Sequence, residues 1–315
     1  MNVLVTGGAG FIGSWTVAEF SKKGYNLIAT DKVVGPGVIQ TDITDLEQVL
    51  RLFEQAKPDA VIHLAAISGT TGKNEAEQSL RQPHLNFHVN VLGTANICEA
   101  CRIQGVRKLI YMSSFAVYGR TEQDRLPITE KTPTSTEHAY ATSKLAGEEV
   151  VRTYSKDFGM KSAIIRAPFI VGENQKERNV LREFIECAIG GKNLVILGDG
   201  KHVREFVHPI DLADAYARAL HHLNTDVVSE SFVIGNTKVA IRDLARKVID
   251  HVGKGRIEYV QSTTVRTFDQ YCDYSKATSL LGWQPRVSID EIIDRVIASE
   301  QSDIAGSGSQ PAGPD

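Results

Sequence analysis

The sequence predicts an α/β protein with a doubly wound parallel sheet and a smaller, mixed α/β lobe. Short apolar runs alternate with helical patterns of ten or more residues along the first half of the chain. These runs are rich in β-branched residues and nearly all apolar, as expected for parallel strands covered by helices on both faces. A glycine-rich turn directly follows the first run, and ligands of such sheets bind at the carboxyl ends of the strands.

The elements of this sheet follow one another in a regular order. "NVLVTG" leads into a helix that begins near Phe11, and "YNLIATD" leads through a very short third segment into "DLEQVLRLFEQAK". "DAVIHLAA" precedes a long helix around residues 84–104, and "RKLIYMSS" precedes a helix that carries Tyr140 and Lys144. "KSAIIRAP" closes the series, so each strand is followed by the helix that a parallel connection needs.

The second half of the chain is less regular. Helical patterns occur near 178–190, 209–222, 240–251 and 288–300, with short strand patterns at "LVIL" and "SFVIG". We expect residues 167–300 to form mainly a substrate-binding lobe, with the chain returning to the main sheet around 206–235. The tail "SDIAGSGSQPAGPD" is rich in Gly, Ser and Pro without a hydrophobic period, so residues 301–315 are predicted to be disordered.

Composition excludes several classes of partner. The chain has 315 residues, 42% of them apolar, and a formal charge of −3, which gives no electrostatic reason to expect nucleic acid or a membrane surface. No apolar run reaches the ~18–20 residues that span a bilayer. The start "MNVLVTGGAG" enters a strand pattern without the basic and apolar regions of a secretory signal, so we expect a cytoplasmic protein.

The cysteines do not form a disulfide or metal pattern. Cys98 and Cys101 make a CxxC inside an apolar-periodic helix, and no second CxxC completes a zinc site. They are predicted to be helix-packing residues rather than redox or metal-binding groups, and together with Cys187 and Cys272 they do not form a disulfide framework, as expected in a reducing compartment. We predict no bound metal.

The segment "TGGAGFIG" after the first strand predicts a dinucleotide site. Gly7, Gly10 and Gly13 recur every three residues, and Phe11 and Ile12 open the helix. Glycines at this spacing permit a tight turn and let the backbone approach a pyrophosphate, which then binds the free N–H groups at the helix start. Because this motif begins a βαβ unit, we assign residues 1–166 to a dinucleotide-binding domain.

An acidic residue at the end of the second strand favours NAD. Asp31 lies 18 residues past Gly13, where a carboxylate accepts hydrogen bonds from the ribose diol and repels a 2′-phosphate. Lys32 beside it weakens this preference slightly. Asp42, in "QTDITD", is placed to meet the adenine edge, and the alternative is an N-cap for the helix that starts near Asp45.

Three polar residues meet at the same edge of the sheet. Ser114 ends the fourth long strand in "YMSSFAVYG", and Tyr140 and Lys144 are one turn apart on the next long helix. Residues at i and i+4 share a helix face, so a phenol and an ammonium can be held together there. Their position at the carboxyl edge places them where a nicotinamide would lie.

This combination resembles the extended short-chain dehydrogenase/reductase superfamily, in particular its NAD-dependent nucleotide-sugar epimerase/dehydratase family. The likeness covers nearly all of residues 1–300. It implies a Rossmann fold and an NAD cofactor. The motifs that carry it are TGGxGFIG at 6–13, "HLAA" at 63–66, "NVLGT" at 90–94, SSxxVYG at 113–119, YxxxK at 140–144, "GDGKHVREFVHPIDLADA" at 198–215 and "DYSKATSLLGWQP" at 273–285.

The resemblance also implies functional residues. Counting back four from Tyr118 in the VYG landmark selects Ser114 over Ser113 as the reactive serine. Further residues are implied to bind the cofactor alongside the glycine motif, Asp31, Lys32, Asp42, Tyr140 and Lys144: Ile43, Leu64, Ala65, Ala66, Asn90 and Pro168.

The resemblance implies a mechanism for Tyr140. A tyrosine with a pKa of roughly 10 is a poor base at neutral pH, and a cation within ~4–6 Å lowers that pKa by about 1–3 units. Lys144 is expected to do this and to bind the nicotinamide ribose. Tyr140 then removes the proton of a sugar hydroxyl, while Ser114 hydrogen-bonds the same oxygen.

The residues after Ser114 separate the reactions of the family. Relatives that eliminate water carry an Asp-Glu pair there and relatives that decarboxylate keep a glutamate, whereas this chain has Phe115 and Ala116. The expected reaction is 4-epimerisation of a nucleotide-diphosphate sugar, UDP-linked by preference, through a 4-keto sugar. The alternatives are a nucleotide-sugar 4-ketoreductase, another short-chain dehydrogenase and, less favoured, a non-catalytic NAD-binding sensor.

The resemblance further implies a substrate site in the second lobe. Phe169 stands where close relatives have an asparagine that touches the sugar, which places the usual galactose/glucose pair in question. A homodimer through the helices at 84–104 and 137–158 is implied as well. The residues expected to bind substrate, besides Ser114 and Tyr140, are Ser68, Phe169, Asn179 and the diphosphate-binding Arg204 and Arg266.

Overall fold

A computed structural model describes residues 1–67, 82–261 and 268–307. Ser68 and Arg266 lie outside these ranges. In the described part of the chain, twelve strands form three sheets. The strands are β1 (Asn2–Thr6), β2 (Asn26–Asp31), β3 (Val38–Gln40), β4 (Ala60–His63), β5 (Lys108–Met112), β6 (Lys161–Arg166), β7 (Phe169–Ile170), β8 (Asn193–Leu197), β9 (Val203–Val207), β10 (Ser229–Val233), β11 (Lys238–Ala240) and β12 (Arg256–Val260).

The main sheet of the described chain has seven strands in the order β10-β6-β5-β4-β1-β2-β3. Every pairing in it is parallel. The order runs outward from β1 in both directions, which confirms the doubly wound fold that the sequence predicts. The carboxyl ends of β1, β4 and β5 therefore lie side by side and bring Thr6, His63 and Met112 to one edge.

Helices cover the sheet and fill the second lobe. The α-helices are Phe11–Lys22, Leu46–Ala56, Pro83–Phe87, Thr94–Gln104, Ala139–Phe158, Val180–Ile189, Pro209–His222, Ile241–Val252, Ser275–Leu281 and Ile289–Ser307. Apolar side chains form one buried cluster on each face of the main sheet. A third cluster lies in the second lobe, between its helices and its short strands. None of the helices in the described ranges is long and apolar enough to cross a membrane.

The second lobe contains two small sheets. Strands β11, β9 and β7 form one, with β9 antiparallel to β11 and parallel to β7. Strands β12 and β8 form a parallel pair. The chain returns to the main sheet through β10, which pairs with β6 and lies within the 206–235 segment where the return was expected.

Two elements differ from the sequence-based expectations. The last helix continues to Ser307, past residue 301 where we expected the disordered tail to begin. The long helix at 84–104 contains a π-helical segment, His88–Gly93, between two α-helical stretches. A π segment adds one residue to a turn and often marks a functional position. Here it contains Asn90, whose side chain is buried.

Candidate active site

The glycine loop lies between β1 and the first helix and touches the end of β4. Gly7 has φ +71°, and a Cβ there would come within 2.7 Å of the backbone nitrogen of Ala65. A Cβ on Gly13 would overlap the carbonyl oxygen of Gly7. Gly10 is the N-cap residue of the helix Phe11–Lys22, with no side chain to occupy its free N–H groups. The loop thus forms an open cradle of backbone donors, which fits a pyrophosphate.

Asp31 closes the far side of this cradle. Its Oδ2 accepts a hydrogen bond from Ala9 N at 3.1 Å, and its Oδ1 accepts one from Val33 N at 3.2 Å. The carboxylate therefore lies over the glycine loop, and each oxygen retains a free lone pair for a ligand hydroxyl.

The structure decides between the two roles that the sequence left open for Asp42, an adenine contact and a helix N-cap. Its carboxylate accepts hydrogen bonds from the N–H and hydroxyl of Thr44 and pairs with Lys32 Nζ at 2.7 Å. Burial alone would raise the pKa of Asp42, but these partners lower it to about 2. Asp45, not Asp42, caps the following helix by accepting from Gln48 N, so the N-cap alternative for Asp42 is wrong. Ile43 follows in the same turn, is buried and touches Gly93.

A buried polar chain fixes the loop that contains Leu64, Ala65 and Ala66. Thr6 Oγ1 lies 2.6 Å from His63 Nδ1, and His63 Nε2 lies 3.0 Å from Thr94 Oγ1. Thr6 Oγ1 also accepts from Ala65 N at 3.2 Å. Burial, with a smaller contribution from the nearby charge of Lys144, lowers the pKa of His63 to about 3. His63 is therefore a neutral structural link between β1, β4 and the start of the helix Thr94–Gln104.

Asn90 extends this network to the helix that carries Tyr140. Its Oδ1 accepts from Ile67 N at 2.8 Å, and its Nδ2 donates to Ile67 O at 3.1 Å and to Ser143 Oγ at 2.9 Å. Asn90 is 1% exposed, so these bonds use its donors and acceptor inside the fold. The residue therefore holds Ile67 and the loop before it in place.

The two serines after β5 face opposite environments. Ser113 is 1% exposed and its hydroxyl donates to Glu148 Oε1 at 2.5 Å. Ser114 is partly exposed, accepts from Ala116 N at 3.1 Å and hydrogen-bonds Tyr140. Only Ser114 of this pair thus combines access to solvent with contact to the phenol.

Tyr140 lies in the first turn of the helix Ala139–Phe158. His138 caps this helix through Ala141 N, and its ring stacks parallel to that of Tyr140 at 6.1 Å. Lys144 follows one turn later, is 2% exposed and places Nζ 4.2 Å from the centre of the Tyr111 ring. The sequence prediction that Ser114, Tyr140 and Lys144 share one edge is confirmed by this geometry.

The pKa values of the pair differ from the expectation. Burial raises the pKa of Tyr140, and the hydrogen bond with Ser114 only partly opposes this. Burial lowers the pKa of Lys144 to about 7, although Glu148 favours its charged form. The expected lowering of the Tyr140 pKa by Lys144 is therefore wrong for this arrangement, because Lys144 is itself poorly solvated and stacks on Tyr111.

A buried ion pair behind the site was missed by the sequence reasoning. Arg166 donates to both oxygens of Glu148, at 2.8 and 2.5 Å, and to Tyr118 Oη at 2.8 Å. Although burial favours the protonated acid, the hydrogen bonds from Arg166 and Ser113 hold the pKa of Glu148 below its usual value. Tyr140, Lys144 and Glu148 recur every four residues, and that spacing is the signal that could have found it.

The predicted substrate residues of the second lobe differ in their burial and contacts. Phe169 is partly exposed on β7 and packs on Phe206 at 5.9 Å between ring centres, while Pro168 before it is buried. Arg204 on β9 lies 4.4 Å over the Phe268 ring and donates to Val203 O and Phe268 O. Burial lowers its pKa to about 10, so it remains a cation at neutral pH.

Asn179 has a structural role as a helix cap. Its Oδ1 accepts from Arg182 N at 3.1 Å as the N-cap of the helix Val180–Ile189, and its Nδ2 donates to Gln175 Oε1 at 2.9 Å. Ser68 and Arg266 lie outside the described residues. In the described ranges, no group of three or more His, Cys, Asp or Glu side chains could hold a metal ion. The four cysteines are free thiols.

The arrangement combines a nucleotide cradle with an acid–base group. The glycine loop, Asp31 and the buried chain around His63 shape one end of the sheet edge, and Tyr140 with Ser114 and Lys144 forms the other. A phenol that exchanges a proton next to a hydroxyl donor suits the interconversion of an alcohol and a carbonyl.

Residues 3–235 match the NAD dependent epimerase/dehydratase family, and the chain belongs to this family. NAD is the cofactor of that family, and the cradle around Gly7 and Gly13 fits its pyrophosphate.

Curated relatives and solved structures agree with this assignment. The UDP-glucose 4-epimerase of Lacticaseibacillus casei is 30% identical over 93% of this chain and 95% of its own length. The structure of the Thermotoga maritima UDP-glucose 4-epimerase with UDP-glucose superposes with a TM-score of 0.85 at 26% identity, covering 96% of this chain and all of that one. The Thermus thermophilus UDP-glucose 4-epimerase in complex with NAD gives a TM-score of 0.82 at 28% identity, covering 96% of this chain and 99% of that one.

Proposed function

We propose that this protein is an NAD-dependent epimerase that inverts C4 of the hexose in a nucleotide-diphosphate sugar of the UDP-hexose type. The observation that carries the proposal is the contact between Ser114 and Tyr140 at the carboxyl edge, one turn before Lys144. Phe115 and Ala116 follow Ser114 and cannot transfer a proton, which opposes dehydration and decarboxylation. The full-length likeness to UDP-glucose 4-epimerases supports the same reaction.

The side chains have distinct roles in this mechanism. Tyr140 takes the proton of the C4 hydroxyl and returns it to the same oxygen after the sugar has presented its opposite face. Ser114 donates a hydrogen bond to that oxygen and stabilises the developing carbonyl. NAD supplies the acceptor and donor of the hydrogen at C4. Lys144 holds the nicotinamide ribose.

The cofactor residues are proposed from their positions around the cradle. Gly7, Gly10 and Gly13, with Phe11 and Ile12, offer backbone to the pyrophosphate. The carboxylate of Asp31 suits the adenosine ribose, with Lys32 and Asp42 paired beside it. Other residues contribute through the loops that they form: Ile43, Leu64, Ala65, Ala66, Asn90 and Pro168.

The substrate residues are proposed from the chemistry of their side chains. Arg204 is a partly exposed arginine on β9, and its guanidinium suits a diphosphate. Asn179 also serves as a helix cap, and Phe169 presents an apolar ring to the hexose. Ser68 and Arg266 complete the set outside the described residues.

Two alternatives share parts of this site. A nucleotide-sugar 4-ketoreductase would use the same three residues but consume reduced cofactor in each turnover, whereas an epimerase recycles it in place. A sensor that only binds NAD has no need for Tyr140 and Lys144 in register beside Ser114, so this arrangement disfavours it. Dependence of the rate on added cofactor separates the first alternative from epimerisation.

Assembly and organisation are also proposals. We divide the chain into a dinucleotide-binding domain, residues 1–166 with the returning strand β10, and a substrate lobe within 167–300. A homodimer through the two long helices is supported by their exposed apolar side chains, Phe87, Leu92, Ile103 and Phe158, which are 42–48% exposed. Four free thiols agree with a reducing cytoplasm.

A proton NMR time course tests the proposed reaction. Purified protein is incubated with UDP-glucose, UDP-galactose, UDP-glucuronate or UDP-N-acetylglucosamine, without added cofactor and next to a Tyr140→Phe control. A new anomeric signal from the C4 epimer, absent in the control, is the expected result. If no epimer forms from any of the four while the protein retains NAD, the proposed function is wrong for UDP-sugars.

A further inference from the structure

The helix that carries Tyr140 is capped by a histidine side chain. His138 Nδ1 accepts a hydrogen bond from Ala141 N at 3.3 Å, and His138 O accepts one from Thr142 N at 3.0 Å. The backbone of His138 is extended, with φ −153° and ψ 163°, as is usual for an N-cap residue. Tyr140 lies inside the turn that these two hydrogen bonds close. Its ring is parallel to the His138 ring within 8°, with 6.1 Å between the ring centres.

This cap differs chemically from the oxygen caps of two other helices. Asp45 and Asn179 cap their helices through side-chain oxygen atoms, which remain hydrogen-bond acceptors in neutral and mildly acidic solution. The first turn of the helix Ala139–Phe158 has no acidic residue, so its free N–H groups depend on the imidazole of His138 for a side-chain acceptor within that turn.

An imidazole can act as this cap in one protonation state only. Because Nδ1 is the acceptor, the proton of neutral His138 is on Nε2. A second proton would bind to Nδ1, turn it into a donor and leave it facing the N–H group of Ala141. It would also place a positive charge at the positive end of the helix dipole. Protonation of His138 therefore breaks the cap.

The surroundings of His138 allow this protonation in mild acid. The side chain is exposed, so water reaches the ring. The desolvated part of the imidazole lowers the pKa of His138 below its ordinary value of 6.5, and the carboxylate of Glu137 only partly opposes this. Glu137 is itself paired with Arg120 at 3.3 Å, on the segment that follows the helix Phe115–Tyr118. The phenol of Tyr140 is the titratable group that lies parallel to the ring.

The position of Tyr140 in the helix makes the cap important for the reaction. Tyr140 is the second residue of its helix, and the ends of helices fray. Its phenol must stay in contact with Ser114 and within about 2.6–3.2 Å of the oxygen whose proton it takes. A displacement of about 1 Å can lower a rate by up to ~10²-fold. The turn that contains Tyr140 therefore has to be held closed during turnover.

We propose that neutral His138 is a positioning residue for Tyr140, which closes the first turn of the helix around the phenol and releases that turn when it is protonated. The proposal rests on the C4 epimerisation proposed above and adds a residue that acts through Tyr140 without touching the substrate. Turnover is then supported at neutral pH and weakened in mild acid, as His138 takes up a proton.

Three variants separate the cap from the other functions of a histidine. His138→Asn keeps a side-chain acceptor that does not titrate in this range, and His138→Ala removes the acceptor. His221→Asn is the matched control, because it removes an exposed histidine from the end of the helix Pro209–His222. The NAD-bound proteins are compared between pH 7.5 and 5.0, with whichever of the four UDP-sugars named above the wild type epimerises fastest.

The pH profile of kcat is the decisive readout. At pH 7.5, we expect His138→Asn to match the wild type and His138→Ala to have a kcat about 5-fold lower at unchanged KM, as for the loss of a typical cap. At pH 5.0, the wild type and His221→Asn should both have fallen toward a kcat about 5-fold below that of His138→Asn. A residue that serves only the fold would not make the wild type and His138→Asn diverge with pH.

Hydrogen exchange gives a second readout that needs no substrate. The amide of Ala141 is the one that the imidazole binds, so the exchange of a peptide spanning 138–145 is followed by mass spectrometry. Rates are expressed relative to the same peptide without structure at the same pH. Protection of this peptide should fall between pH 7.5 and 5.0 in the wild type and remain constant in His138→Asn.

Failure of this proposal is distinguishable from failure of the proposed function. If the kcat of the wild type and that of His138→Asn keep a constant ratio across the pH range, the proposal is overturned and the epimerisation stands. Wild-type turnover by His138→Ala at pH 7.5, or protection at 138–145 that does not change with pH in the wild type, also overturns it. Absence of any epimer from wild-type protein that retains NAD overturns the proposed function and the positioning role with it.

Discussion

Glu148 and Arg166 form a two-point ion pair inside the protein, directly behind Ser113 at the end of β5. Arg166 Nε and Nη2 donate to Glu148 Oε1 and Oε2 at 2.8 and 2.5 Å, and the side chains of Arg166 and Glu148 are 5% and 0% exposed. The Ser113 hydroxyl and Arg152 Nη2 bond the same carboxylate. Because Glu148 is one turn past Lys144, the pair fixes the rotation of the helix that presents Lys144.

Removing the charge of Glu148 should strongly destabilise the fold. Glu148→Gln leaves Arg166 buried without its counter-ion, and we expect a loss of about 3–5 kcal/mol in the free energy of unfolding. Urea denaturation at pH 7 measures it. Glu149→Gln is the control, because Glu149 is 65% exposed and pairs with Arg152 at the surface, where a loss below about 1 kcal/mol is expected. Equal losses in the two variants would contradict this account.

The same pair predicts a dependence on acid. The pKa of Glu148 in the folded protein is below its ordinary value of 4.5, so its contribution is fully present above that pH. The contribution is lost as the pH falls through the folded-state pKa. The difference in stability between wild type and Glu148→Gln should therefore shrink below pH 4.5. A difference that stays constant as the pH is lowered from neutrality into the acid range would show that Glu148 is not ionised in the fold.

Lys144 predicts a second pH dependence, of the same sign but in the alkaline range. Burial lowers its folded-state pKa to about 7, from 10.5 for an unperturbed lysine. Between these values the unfolded chain binds one more proton than the folded protein, so the stability of the wild type rises with pH. Relative to Lys144→Met, we expect a rise of up to about 1.4 kcal/mol per pH unit above pH 7. Urea denaturation at pH 7, 8 and 9 tests this, with Lys156→Met at an exposed position of the same helix as the baseline. A flat difference would mean that Lys144 stays charged.

Substitution of Ser114 should lower the catalytic rate, whereas substitution of Ser113 should lower the stability of the fold. Ser114→Ala removes the donor next to the Tyr140 phenol, and we expect kcat to fall by about 10²-fold with little change in the urea midpoint. Ser113→Ala removes a hydrogen bond to the buried carboxylate of Glu148, and a stability loss of about 1.5–3 kcal/mol is expected. Kinetics and denaturation on both variants check this assignment. The reverse pattern would make Ser113 the reactive serine.

Local patterns were sufficient to predict much of the fold. The apolar runs predicted the strands of the main sheet, and the helical pattern near 178–190 predicted the helix Val180–Ile189. The role of Asn179 as its cap was not the predicted one, which was substrate binding. The spacing of Tyr140 and Lys144 placed both on one helix face at the carboxyl edge. These features depend on periods of a few residues, which a single sequence displays directly.

Features that depend on contacts between distant segments could not be predicted from these local patterns. Arg166 reaches Glu148 only because β6 pairs with β5, and nothing in either segment alone indicates that pairing. Strand β7 has two residues and β9 is interrupted by charges, so neither shows a clear apolar pattern. The pKa of Tyr140 depends on burial by the completed fold, which outweighs the local i, i+4 relation to Lys144.

The glycine cradle leaves no room for a side chain at Gly13. In Gly13→Ala, the methyl group overlaps the carbonyl oxygen of Gly7, so the loop must move away from the helix start. We expect loss of bound NAD and a destabilisation of about 1–3 kcal/mol. The absorbance ratio at 260 and 280 nm and the melting temperature measure the two effects. Gly35→Ala is the control, because its Cβ meets no atom closer than 3.6 Å. Normal NAD content in Gly13→Ala would show that the cradle does not bind the pyrophosphate.

Tyr140→Phe separates proton transfer from every other function of the site. The ring stays in place against His138, and Lys144 and the glycine cradle are unchanged, so NAD should bind as in the wild type. Without the phenolic oxygen no group at this position can take the C4 proton, and the rate should fall by at least ~10²-fold. Tyr154→Phe is the matched control, because this tyrosine is on the same helix and its hydroxyl bonds Glu99 at 3.2 Å, away from Tyr140. Single-turnover measurement of epimer formation, with NAD content determined in parallel, gives both quantities. If Tyr140→Phe turns over at a near-normal rate with NAD bound, another group accepts the proton, and the role given to Ser114 beside Tyr140 does not hold.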